Sequence, residues 1–203
     1  MLILALALSL TQHVYRVPED FIPQGIGVAG VEQIETELAK LHHPFVVVLV
    51  KEINEPLEVR YRTDGPAAQY ADRIVEQLGA VGADLQTTSV FVLSYSPRKF
   101  WLDPGVRWRN DLQLHHEHLQ PFLDDFVKQA KANPPDPKTG IINLARHLDE
   151  FVFDQTDPER VRIRAETSAR AAAEKANLQR IQAAEERLQN AKQKLRDTYV
   201  RFT

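Results

Sequence analysis

The sequence predicts an α/β fold, a mixed β-sheet packed between helices, followed by a long C-terminal α-helix. Three observations predict it. The run PFVVVLV at Pro44 to Val50 is apolar without polar alternation, as a strand covered on both faces requires. Around it, apolar residues recur three and four apart in several windows, the period of helices with one buried face. After Pro158 that pattern gives way to opposite charges at four-residue steps, the mark of a solvated helix.

Taken in order, the chain starts with an apolar run, Leu2 to Leu10, about half the roughly 20 residues that a membrane-crossing helix needs. Residues 1–13 are expected to be a secretory remnant or anchor, which implies an extracytoplasmic location, periplasmic or membrane-associated. Val31, Ile34, Leu38 and Leu41 then form a helical stripe, with Glu32, Glu35, Glu37 and Lys40 on the other face. The all-apolar strand follows. Beyond a polar stretch ending in Asp64-Gly65-Pro66, Tyr70, Ile74 and Leu78 predict a second helix, with Gly79 placed to stop it. Ser89 to Tyr95 and Lys99 to Leu102 read as two strands of a hairpin around Ser96-Pro97-Arg98. Leu112, Leu119, Phe122, Leu123, Phe126 and Val127 predict a helix from Asp111, its N-cap, to about Lys131. The prolines at 134, 135 and 137 break it, and a last core helix is expected from Gly140 to about Phe153 on Ile141, Leu144, Ala145, Leu148, Phe151 and Val152. The core domain is thus placed at residues 14–154 and a charged helical extension at 155–203.

In that extension Arg162, Glu166, Arg170 and Glu174 alternate in sign, and alanine-rich segments follow. Ile181, Leu188 and Leu195 recur at seven-residue steps, the seam either of a short coiled coil or of a solvated helix laid against its own domain. They are the candidate assembly residues. From Asp157 onward 11 Lys and Arg stand against 7 Asp and Glu, leaving 14 against 21 before it. A basic tail on an acidic body suits self-association or a protein partner, whereas the overall charge of −3 gives no footing for nucleic acid. The chain has no cysteine, which excludes a thiol nucleophile, a disulfide framework and a thiolate metal site.

Arg98, Lys99, Trp101, Arg107, Trp108 and Arg109 interleave cations with aromatics, a composition that holds an anionic or peptide partner, although either tryptophan can equally fill the core. His115, His116, Glu117 and His118 are the densest set of potential metal ligands. Gln120 stands where a His-Glu-x-x-His zinc site needs its second histidine, so the cluster reads as a solvated helix start. The chain shows no glycine-rich phosphate loop, no Gly-x-Ser-x-Gly elbow and no paired-carboxylate hydrolase pattern. No cofactor is expected from the residues themselves.

Three segments together resemble the TPM-domain family, named for a thylakoid-lumen acid phosphatase, a photosystem II repair factor and a modulator of acetylcholine receptors. They are the helix and apolar strand of Val31 to Val50, the hairpin SVFVLSYSPRKFWLDPG of Ser89 to Gly105, and the landmarks Gln120-Pro121-Phe122 and Thr139-Gly140-Ile141-Ile142. The resemblance implies a TPM-like sheet between helices and, through the family's Asp-Asn-Gly and glutamate positions, a calcium or other hard cation on oxygen ligands. In this sequence Thr87, Thr88 and Ser89 stand at the triplet and Arg109 near the glutamate, so only Asp84 and Asp103 remain as candidate ligands. Two functions follow as expectations. The first is a non-catalytic interaction or scaffold module with its C-terminal helix for assembly; the second is an acid-phosphatase-like hydrolase.

Overall fold

Every residue of the strand Phe45–Val50 (β2) is buried, so the layers form around it. In the computed structural model, which describes residues 12–201 apart from 55, 59–61, 63 and 81, β2 lies inside a four-stranded sheet of order β1-β2-β3-β4. β1 is Val14–Val17, β3 Ser89–Tyr95 and β4 Arg98–Asp103. β1, β2 and β3 run parallel, and β4 returns antiparallel to β3 with Tyr95 opposite Arg98. The turn is therefore the two residues Ser96 and Pro97, one fewer than expected. The apolar segment proposed for residues 1–13 falls almost wholly outside the described residues.

The absence of alternation in β2 now has its reason. Phe45, Val47 and Leu49 enter one core with Ile34 and Leu38 of α1 (Gly27–Leu38), Leu123 and Phe126 of α4 (His116–Ala130), and Ile141, Leu144 and Leu148 of α5 (Pro137–Thr156). Val46, Val48 and Val50 point the other way, into a second core with Tyr70, Ala71, Ile74 and Leu78 of α2 (Pro66–Ala80). An apolar residue is needed at every position because each face of the strand meets a helix layer. The protein is α/β, a mixed sheet between helices.

Four sequence expectations are corrected. Asp111 does not cap a helix reaching Lys131; it ends a separate short helix, α3 (Val106–Asp111), and Gln113 at φ 52° turns the chain before α4 begins at His116. Gly79 lies inside α2, and it is Gly82 at φ 88° that takes the chain away from it. Glu35, assigned to the solvent face of the first helix, accepts the amides of His13 and Val14 at 2.7 and 2.6 Å and so anchors the start of β1. The last core helix starts at Pro137 rather than Gly140, because Asp136 accepts the Thr139 amide and hydroxyl at 3.0 and 2.6 Å. Proline is well suited to the first position of a capped helix.

The chain divides into two compact units, Met1–Phe153 and Asp154–Thr203. The second consists mainly of α6, a 44-residue helix from Pro158 to Arg201. Arg162 bridges Glu159 at 2.5 Å and Glu166 at 3.7 Å, part of the charge ladder read from the sequence. No helix among the described residues is long and apolar enough to cross a membrane.

Candidate functional site

The basic and aromatic residues gathered by the sequence analysis do not share one face. Trp108 belongs to the core at 3% exposure, and its indole nitrogen donates to the Thr87 carbonyl at 2.9 Å. Arg107 stacks over Trp108, 5.2 Å from the ring centre, and pairs with Asp111. Arg109 reaches back to Asp103 at 2.5 Å, and with Trp101 it borders a cleft that Asp64, Asp72 and His115 also line. Arg98 and Lys99, at the beginning of β4, are exposed and border a different groove.

That groove, about 650 Å³, lies beside the β3–β4 turn. Its floor is apolar: Leu93, Phe100, Phe126, Val127 and Ala130. Phe100 and Phe126 meet edge to face at 5.2 Å, and Phe126 meets Phe91 in the same way at 5.0 Å, which fixes the aromatic base. Arg98, on the same face of β4 as Phe100, stands on one wall and Lys131, just past α4, on another; Lys99 borders the groove, but strand alternation sends its side chain to the opposite face with Trp101. Among the described residues that line it there is no carboxylate. Tyr95 closes one side, its hydroxyl donating to the Gln24 carbonyl at 3.2 Å while Phe21 packs edge-on at 5.2 Å. Burial pushes the Tyr95 phenol up to about 12, so it remains a neutral hydrogen-bonding group at physiological pH. Phe126 on α4 and Lys131 just past it were not foreseen as site residues, because the sequence clue was confined to the hairpin.

The hard-cation ligands fare differently. Asp84 accepts the Gln86 amide at 3.0 Å and the Thr87 hydroxyl at 2.5 Å, closing its own turn. Asp103 is buried, with Gly105 donating to one oxygen at 2.8 Å and Arg109 to the other at 2.5 Å. Ser89 spends its hydroxyl on the Pro104 carbonyl at 3.0 Å. A guanidinium in contact with Asp103 already neutralises it and would repel a divalent ion, so these residues do not fit the calcium that the sequence resemblance implies. Among the described residues, no three His, Asp or Glu side chains gather as metal ligands. In the histidine cluster, His118 Nδ1 sits 2.7 Å from the Gln113 carbonyl and its ring 6.4 Å from that of His115. The His116 side chain lies outside the described residues.

A second polar centre was not anticipated. Asp149 on α5, 7% exposed, accepts the backbone amides of His42 and His43 at 3.1 and 2.9 Å, and the Nδ1 atoms of both rings at 2.9 Å. His42 stacks on Phe153 at 4.0 Å, and His43 meets Trp108 edge-on at 5.1 Å. The arrangement ties the segment that leads into β2 to α5. Burial raises the Asp149 carboxyl, but the hydrogen bonds from His42 and His43 outweigh it, and the pKa lies below its ordinary value.

No family model matches the sequence, and no curated protein matches it. Among solved structures the chain is similar to the N-terminal domain of a protein from P. gingivalis, determined by solution NMR, with a TM-score of 0.50 and 16% identity over 72% of this chain and 84% of that one. It is also similar to the BA42 protein of the psychrophilic bacterium Bizionia argentinensis, with a TM-score of 0.47 and 14% identity over 67% of this chain and 84% of that one. At 16% identity, the likeness to the P. gingivalis domain is one of fold alone.

Proposed function

We propose that this chain is a non-catalytic interaction module of the TPM type, working in an extracytoplasmic space, with its C-terminal helix as the assembly element. The observation that carries the reading is the apolar series on α6. Ile181 and Leu188 are 50% and 56% exposed, seven residues apart on a helix whose other residues are mostly charged or small. Leu195 continues the series in sequence, though its side chain lies outside the described residues. Covering an isoleucine or leucine completely contributes about 1.5–3 kcal/mol, and a partner helix with the same spacing supplies the cover. The TPM assignment rests on the helix, apolar strand and hairpin segments, in the order described above.

Hydrolysis has less support. Asp103 already accepts from Gly105 and Arg109, which leaves it poorly disposed to serve as a base or metal ligand.

The test is the mass of the intact chain by light scattering, before and after Ile181→Asp with Leu188→Asp. Dimers or larger assemblies that become monomers, while the thermal transition of residues 14–154 is kept, support the reading. A wild-type chain that is monomeric at tens of micromolar, and whose transition is indifferent to the double change, overturns it. Release of phosphate from an aryl phosphate, abolished by Asp103→Asn, would establish the hydrolase instead.

A further inference from the structure

We infer that the groove beside the β3–β4 turn is a docking site for an acidic peptide segment of a partner protein, one bulky apolar side chain entering the floor between flanking carboxylates. This deepens the interaction-module reading and rests on it, but uses a surface remote in sequence from the α6 series.

Charge complementarity selects the occupant. The chain before Asp157 carries 14 Lys and Arg against 21 Asp and Glu, so an average patch of it is acidic. This groove departs from that average, with Arg98 and Lys131 on its walls and no carboxylate among the described lining residues. Potentials of one sign beside a low-dielectric floor attract the opposite charge and set orientation. A volume of about 650 Å³ admits a large side chain and its neighbours. The apolar floor excludes a purely ionic ligand as the best match, since Leu93, Phe100 and Val127 gain only if apolar surface covers them.

Each cation also has a simpler explanation. Lys131 follows the last turn of α4, where a cation complements the helix dipole. Arg98 and Lys99 lie on an edge strand, where charge prevents pairing with stray strands. Neither explanation calls for an apolar basin between Arg98 and Lys131. The basin is what distinguishes a binding groove from protective charge.

The experiment is a selection from a randomised peptide library displayed on phage, against the full-length chain, in parallel with Arg98→Glu and with Ala130→Phe, which fills the floor. The expected result is enrichment of peptides bearing Asp or Glu around a Leu, Ile or aromatic residue. A synthetic peptide from that pool should lose about tenfold in affinity to either variant and weaken as salt is raised. Lys131→Glu, on a different wall, should act in the same direction and provides a second variant if the hairpin change unfolds the chain. Enrichment of neutral or basic peptides, equal enrichment on the variants, or binding of phosphatidylserine vesicles through these residues without any peptide preference would each overturn the inference. Because all variants leave α6 intact, a failure here accompanied by unchanged assembly mass refutes the groove and not the helix.

Discussion

The Asp149 centre allows a sharp energetic test. Replacing Asp149 by Asn keeps the size and shape of the side chain but turns one of its two acceptor oxygens into a donor. Oδ1 and Oδ2 each receive a backbone amide and a ring Nδ1, so in the variant one histidine pair faces an amide nitrogen, donor against donor. Hydrogen bonds to an ionised group each contribute about 1.5–3 kcal/mol, and a buried donor left without a partner costs about 1–3 kcal/mol. The His42 side chain is 55% exposed and that of His43 19%, so water compensates the first more than the second. The expected loss is about 3 kcal/mol for Asn and similar for Ala. With a urea slope near 2 kcal/mol/M, the midpoint moves down by about 1.5 M. Equilibrium unfolding followed by tryptophan fluorescence is well suited, since His43 lies against Trp108. The pH dependence follows from the depressed pKa. An unfolded carboxyl near 3.8 and a lower folded value mean that the stabilisation is complete above 3.8 and is lost as pH falls through the folded pKa. The gap between wild type and variant should therefore narrow below pH 3.8 and be constant, as far as this group is concerned, above it. An Asn variant within about 0.5 kcal/mol of wild type, at neutral pH, would refute the reasoning, because only space-filling would then matter.

Gly105→Ala should destabilise by about 2–4 kcal/mol in the same urea experiment. Gly105 has φ 90°, a conformation that costs other residues about 1–3 kcal/mol, and an added Cβ would lie 2.9 Å from the Thr88 carbonyl oxygen; an unchanged midpoint would show that the loop relaxes freely. Millimolar calcium should leave the melting temperature within about one degree, since Asp84 and Asp103 are already engaged by Gln86, Thr87, Gly105 and Arg109. Saturation at a hundredfold excess over Kd would add about 2.7 kcal/mol, so a rise of several degrees in calorimetry would mean that those carboxylates exchange their partners for the ion.

The sequence by itself determined the elements whose signal is local and repeated. The unbroken apolar run of β2 announced a strand covered on both faces, and the two cores that meet there are its physical cause. The charge ladder and alanines of α6 were equally legible, because helix propensity and side-chain pairs at four-residue steps act within the helix itself. Short elements escaped: β1 has four residues and α3 six, too few for a period to emerge. Tertiary structure alone decided the site. Six basic and aromatic residues that are neighbours in sequence were separated by the direction each takes from β4 and α3, sending Trp108 into the core and Arg109 to Asp103 while Arg98 stayed at the groove. Lys131 joined it from the end of α4, some thirty residues on, and Asp149 met His42 and His43 across a separation of 107 and 106 residues. No local pattern encodes such meetings. They arise when helices settle on a sheet whose register is fixed by burial, and only then do isolated charges become a wall, a cap or an ion pair.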